Sequence, residues 1–208
     1  MPHTPKPSVE LGGSRRSGLS RDTIREVALT RFAQQGYHAT TLRQIASDLK
    51  VTVAAIYYHF ADKEELLTQV VEKSLEADFE AAVLIRASDD RPLLDALIRM
   101  HVLRHIELHD EALVVHHEAK YLPEPYAHRV RALLREYEAS FRDAIVLEYD
   151  IPAKRLTMVT KVVLGMGVAV IHWFRPGALL TADEVAERYV LYTRGILELE
   201  ARAGDSES

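Results

Sequence analysis

Cysteine is missing from the 208-residue chain. Its absence removes disulfides, thiolate nucleophiles and cysteine-ligated metals from consideration. Long apolar runs are missing as well. The longest apolar-leaning stretch, Val162 to Phe174, is too short to span a bilayer and carries His172. The opening residues, MPHTPKPSVELGGSRRSGLS, lack the apolar centre of a secretory leader. These absences lead to the expectation of a cytoplasmic protein without membrane association. No G-x-S-x-G, glycine-rich phosphate loop or H-E-x-x-H occurs. ELHDEALVVHHEAK, Glu107 to Lys120, has the acids and histidines of a hydrolytic metal site, but at a spacing that fits no zinc motif. No catalytic residue, metal or cofactor is assigned, and an enzyme is not expected.

Alternating apolar and polar residues, the mark of a half-buried strand, are also lacking. What the sequence has is helical period, interrupted by caps and prolines. Residues 1–19 are rich in Pro, Gly and Ser and read as a disordered arm. Ser20 caps a first helix to about Gln35, with Gly36 as its stop. Thr40 or Thr41 caps a short second helix to about Leu49, and Val53 to His59 forms a third. Asp62, with Glu65 three residues on, caps a long fourth. A fifth starts at Asp89 or Asp90 with Pro92 in its first turn, and Asp110 to Lys120 is a sixth. Pro125 opens a seventh reaching Tyr149. An eighth runs from Ala153 to Phe174, and Thr181 with Glu184 caps a ninth ending near Ala203. The expected fold is all-α, with nine helices.

Charge divides along the chain. Residues 1–65 hold 9 Lys/Arg against 7 Asp/Glu, and the remainder 17 against 24, within a net charge of −5. Only the first third is suited to approach a polyanion. There the second and third helices, joined at Lys50–Thr52, have the layout of a helix-turn-helix, whose second helix enters the major groove of DNA. Ile45, Ala46, Leu49, Val51 and Ile56 are the apolar set that holds the pair together.

The stretch TTLRQIASDLKVTVAAIYYHFADKEELL resembles the DNA-binding signature of the TetR family of transcriptional regulators. It matches at Thr41, Ile45, Ala46, Val51, Thr52, Ile56, Tyr57, His59, Phe60, Lys63, Glu64 and Leu67, and ALTRFAQQGYHATTL upstream fits as well. The signature covers about a quarter of the chain. The resemblance implies a helix-turn-helix domain at 20–66 and a ligand-binding and dimerisation domain at 67–208. It implies a homodimer on a palindromic duplex operator, released by a small effector. By the same resemblance Thr41 and Thr52 cap helices and donate to phosphates, and Tyr57, His59 and Lys63 reach the sugar-phosphate backbone. Tyr58 is the variable outward position. Val53, Ala54 and Ala55 open the recognition helix. The two alanines cannot hydrogen-bond a base, which leaves Arg43, methyl contacts and DNA shape for readout.

The body is less explicit. The eighth helix is apolar nearly all round. Gly165, Gly167 and Ala169 would admit a close neighbour, either a second subunit or the monomer's own core. WFRPGALLTADEVAERYVLYTRGI resembles the branch of the family that controls fatty-acid or sterol acyl-thioester breakdown. Trp173 could wall an apolar cavity there and Arg175 meet a phosphate or carboxylate. Equally, the segment could be a structural corner with Arg175 paired to an acid. Met100, Arg104, His105, Val114, His117, Tyr126, Phe141, Met158, Val162 and Met166 are the other candidate pocket residues. His101, His105 and His109 share a helix face and could chelate a metal or line a polar wall. The effector expected is largely apolar with an anionic end, an acyl thioester of coenzyme A, acting through a shift of helix four. The alternatives are a drug- or metal-responsive regulator of efflux, with acids such as Glu107 or Glu118 in its pocket, and a helical protein-binding module.

Overall fold

The computed structural model describes residues 19–88, 92–177 and 179–205, apart from the side chains of 86–88 and 204–205. In chain order the helices are α1 (Arg21–Gln35), α2 (Leu42–Asp48), α3 (Val53–Tyr57), α4 (Lys63–Ser88) and α5 (Leu93–Glu107). They continue with α6 (His109–Glu118), a 3-10 turn (Ala119–Tyr121), α7 (Tyr126–Glu148), α8 (Ala153–Val168), α9 (Val170–Trp173) and α10 (Ala182–Asp205). The one-turn α9 continues α8 past an interruption at Ala169. Counted as one rod, the pair brings the helices among the described residues to nine, with no strand. Residues 1–18 of the expected arm, with Arg15 and Arg16, and the proposed caps Asp89 and Asp90 lie outside the described residues.

Local chemistry sets most helix starts. The Ser20 side chain accepts from Thr23 N–H and Thr52 from Ala55 N–H. Thr41 and Gln44 form a reciprocal capping box, as do Thr181 and Glu184. At α4, Asp62 Oδ1 accepts the Glu65 N–H at 2.6 Å, but the Glu65 carboxylate returns to Ala61 N–H, one residue earlier than a standard box. Gly36 ends α1 at φ 82°, in the left-handed region that favours glycine.

Two apolar cores follow. Ile24, Ala28, Phe32, Ile45, Ala46 and Ile56 from α1–α3, and Phe60 just after α3, pack with Leu66, Leu67, Val71 and Leu75 of α4. Val114, Val115, Leu122 and Val130 complete this core, so its packing continues past residue 66 into α6 and α7. The second core is built by α5, α7, α8 and α10 around Leu97, Val102, Phe141, Ile145, Val163, Val170 and Leu197. Ala153–Trp173, 21 residues, is long and apolar enough by composition to cross a membrane. One face of it, with Val159, Val163, Gly167 and Val170, is buried against this core, and Lys154 and Lys161 are exposed. Gly167 is a packing requirement of the subunit itself, because a Cβ there would overlap the His101 ring. At Gly165 a Cβ would meet nothing.

Candidate DNA-binding face and effector pocket

The turn between α2 and α3 is tight. Lys50 takes φ 56°, and Lys50 N–H and Val51 N–H bond to Ser47 O and Ala46 O at 3.1 and 3.0 Å. This left-handed position carries lysine rather than glycine or asparagine, so the sequence did not flag it. The turn buries Ile56 and turns the other side of α3 outward. Tyr57 is 55% and Tyr58 87% exposed, and Thr41, Arg43, Thr52 and Ala54 are exposed as well. Val53, Ala55 and His59 are half-buried. Two tyrosines this open on a five-residue helix contribute little to the core. They form a ridge of hydroxyls and ring edges beside two cap threonines.

Lys63 has partners within the fold. Its Nζ donates to Tyr37 O and Thr40 O, both at 3.0 Å, and lies 4.1 Å from the centre of the Tyr37 ring. The ammonium thus ties the end of the α1–α2 link to α4, where a phosphate contact was expected. Arg21, not singled out from sequence, does a parallel job. It donates to His59 O, pairs with Glu65 at 2.9 Å and lies over the Phe60 ring. The Glu65 carboxyl is held below its ordinary range by the Ala61 N–H first and by Arg21 after it.

In the body, a pocket of about 540 Å³ opens between α5, α6, α9 and the segment that follows α9. Its apolar walls are Ile106, Leu113, Val170, Ile171, Phe174 and Pro176, and its polar lining is His105, His109, His172 and Arg175. No carboxylate is among these residues. Arg175 Nη atoms donate to Phe174 O and His172 O at 2.7 and 3.2 Å. Among the described residues it has no acidic partner, so the expected corner ion pair is not formed. A cavity of about 40 Å³ lies deeper, under α4, lined by Ser74, Asp78, Arg104, His116 and Tyr137 among others. His105 lines both spaces.

Of the expected pocket residues, His105 and Arg175 line the larger pocket and Arg104 the inner cavity, where it is paired with Asp78. His117 stands beside the pocket with its ring stacked on His172. The others are elsewhere. Phe141 is fully buried core, and Met100 and Met166 pack against that core. Val114 and Tyr126 belong to the N-terminal core. Met158 and Val162 point outward at 53% and 48% exposure, and Trp173 is half-exposed. Helical period marks a buried or exposed face, but not which core or cavity the face meets. Ile106, Leu113, Ile171 and Phe174 carried no signal that separated them from ordinary core.

The shared face of His101, His105 and His109 is occupied by carbonyls. His101 Nε2 is 3.1 Å from Leu164 O, His105 Nδ1 2.7 Å from His101 O and His109 Nε2 3.0 Å from Ile171 O. A carbonyl only accepts, so each of these nitrogens carries a proton. Tyr137 O–H then donates to His101 Nδ1 at 2.9 Å. Burial holds His101 well below its ordinary pKa and pushes the Tyr137 phenol well up. The face is a hydrogen-bonding wall, and among the described residues no group of three His, Asp or Glu is placed to hold a metal.

Residues 24–70 match the model of the bacterial regulatory proteins of the tetR family, and residues 87–197 that of the tetracyclin repressor-like C-terminal domain. The chain belongs to the TetR family. It is a transcription regulator with a helix-turn-helix, not an enzyme. Among its TetR-family relatives, the HTH-type transcriptional repressor KstR2 of Rhodococcus jostii is 28% identical over 197 residues, 90% of this chain and 94% of that one. The ketosteroid transcriptional regulator KstR2 of Mycobacterium tuberculosis superposes with a TM-score of 0.72 at 25% identity, over 84% of this chain and 93% of that one. AibR, solved in complex with isovaleryl coenzyme A and operator DNA, gives a TM-score of 0.72 at 25% identity, over 82% and 95% of the two chains. These relatives support the branch that the Trp-Phe-Arg-Pro stretch suggested.

Proposed function

We propose that the protein is a cytoplasmic, homodimeric repressor whose grip on a palindromic operator is released by an acyl thioester of coenzyme A. The larger pocket carries this reading: apolar walls that end at Arg175, His109 and His172, with no acid in the lining. Its volume is in the range of small-molecule sites. An acyl chain would lie against Ile106, Leu113, Val170 and Ile171, with the phosphates of the coenzyme toward Arg175 at the rim. A cationic drug would find no countercharge in that lining, the nearby Asp110 lying behind His109 at 3.6 Å. Isovaleryl coenzyme A bound to AibR, a relative of the same fold, supports the ligand class.

The second subunit would cover the outer face of α8 and α10. Met158, Val162, Gly165 and Ala169 lie along one side of α8, and Leu191, Tyr192, Gly195 and Leu199 along α10; all are exposed. Paired across a two-fold axis these helices make a four-helix bundle. Each subunit then presents one α3 to successive major grooves, about 34–36 Å apart. Tyr57, Tyr58, His59, Thr41 and Thr52 would meet the backbone, and Arg43 with the Val53–Ala55 surface would meet bases.

Coupling runs through α6 rather than through α4 alone. α6 faces the pocket with His109 and Leu113 and packs broadly on α1. At its end, Glu118 accepts the Tyr37 N–H at 3.2 Å, and Tyr121 meets the His38 ring edge-on, with centroids 4.2 Å apart. A ligand that moves α6 pulls on the residues that Lys63 also holds. The test is a titration of isovaleryl- and palmitoyl-coenzyme A, free acids and planar cationic drugs against a complex of the protein with duplex DNA from beside its gene. Release by thioesters is expected. Arg175→Ala should weaken that release by roughly tenfold or more, the scale of a lost charge-assisted hydrogen bond. Release by the cations alone would replace this reading with an efflux-type regulator.

A further inference from the structure

α6 is joined to two different helices by two consecutive histidines. His116 Nε2 is 3.0 Å from His105 Nε2 on α5. The next residue, His117, stacks on His172 of α9 with ring planes 13° apart and centroids 5.4 Å apart. The first contact has a defined proton order. His105 Nδ1–H is committed to the His101 carbonyl, so His105 Nε2 presents a lone pair, and His116 Nε2–H is the donor. The first contact loses its acceptor once both of its rings are protonated, since two end-on imidazolium ions repel. We propose that these two pairs form a proton-sensitive clasp that holds α6 in its DNA-binding position and opens on mild acidification, loosening the operator complex. The proposal rests on the DNA-binding reading above, but not on the identity of the effector.

The surroundings favour the neutral form. α4 brings Asp78, which is taken up by Arg104 of α5, and α6 brings Glu111 to the same cavity. Lys120 and Arg131 line the other side of His116, and Tyr137 of α7 and Arg175 after α9 complete the set with His101 and His109. Burial lowers the pKa of His105. For His116 burial of the ring and then the neighbouring His105 lower it to about 4, although the residue as a whole is exposed, which weakens the burial effect. A lowered histidine pKa gives the closed clasp its full advantage above the ordinary value near 6.5. The advantage falls as pH drops below 6.5 and is exhausted below the lowered value. Each proton taken up on opening changes the equilibrium up to tenfold per pH unit in that window. The motion matters because Glu118 and Tyr121, directly after the clasp, hold Tyr37 and His38.

The sign separates this device from simple charge effects. A general gain of positive charge near DNA would tighten binding as pH falls. The clasp predicts the opposite, about tenfold or more weaker binding at pH 5.5 than at pH 7.5 at constant ionic strength. His116→Gln cannot gain a charge, and it should bind DNA at pH 7.5 while losing most of that dependence. Hydrogen exchange of the free protein gives a readout that needs no operator: α6 amides should exchange faster at pH 5.5, after correction for the intrinsic rate, while α10 amides do not. Unchanged or tighter DNA binding at pH 5.5, or α6 and α10 losing protection together, would overturn the clasp. Absence of DNA binding at every pH with selective loosening of α6 would refute the operator reading and leave the clasp standing.

Discussion

The two ends of the molecule use polar residues differently. In the DNA-binding end, the polar side chains that build the fold sit near helix termini: Ser20, Thr41, Thr52 and Asp62 cap, and Arg21 and Lys63 tie one terminus to the next. Tyrosines that could have been core are left outside. In the body, polar groups are sunk into the core, where His101 and Tyr137 in mid-helix and His105 in the last turn of α5 are buried against carbonyls and one another. A surface meant for a phosphate backbone needs rigid, well-capped short helices with free side chains. A site that must change state needs buried polar contacts whose loss has consequences at a distance.

The largest effect that would break this contrast is at Gly165. Gly165→Glu places a charge on the outer face of α8, where the subunit itself offers no neighbour. Sedimentation should show monomers, and operator affinity should fall by roughly 10²–10⁴, the scale set by losing a linked second site. A variant that stays dimeric would move the interface elsewhere. Gly167, only two positions on, faces the subunit's own core instead. Gly167→Ala forces a methyl into the His101 ring, which is fixed at both nitrogens. Overpacking of this kind costs about 1–3 kcal/mol. That lowers Tm by roughly 2–4 °C per kcal/mol for a chain of this size, with the dimer intact. A Tm equal to that of wild type would mean that the His101 ring yields freely.

Smaller effects sharpen the other end. Tyr57→Ala removes an exposed side chain and should weaken DNA binding at unchanged Tm. Lys63→Ala strands the carbonyls of Tyr37 and Thr40, so it should lower Tm as well, by a stability loss of about 1–3 kcal/mol. Thermal melts and binding curves on the two variants separate a contact with DNA from a strut of the fold. Equal melting of both would return Lys63 to the list of phosphate contacts alone.

The helices and most of their caps were legible in the sequence because they are local: Thr41, Thr52 and Thr181 reach no further than three residues. The outward placement of Tyr57 and Tyr58 was legible for the related reason that α3 is too short to bury them. The two carbonyls that Lys63 holds were not legible because they lie 23 and 26 positions away along the chain. The body site was harder still. Met158, Val162 and Phe141 satisfy the helical period as well as Ile106 or Leu113 do, and only packing decides which residues face solvent, core or cavity. The three histidines spaced by four share one face, yet Leu164, His101 and Ile171 supply their carbonyl partners, two of them from distant helices.

The central claim is that the pocket beside α6 and the helix-turn-helix are coupled, and coupling is reciprocal. Its most direct test is the affinity of isovaleryl- or palmitoyl-coenzyme A for the protein alone and for the same protein saturated with its operator duplex, measured by calorimetry under one set of conditions. The account predicts that the thioester binds the free protein about 5–150-fold more tightly than the complex, and that the thioester weakens DNA binding by the same factor. Equal thioester affinities in the two states, with binding itself confirmed, would contradict it.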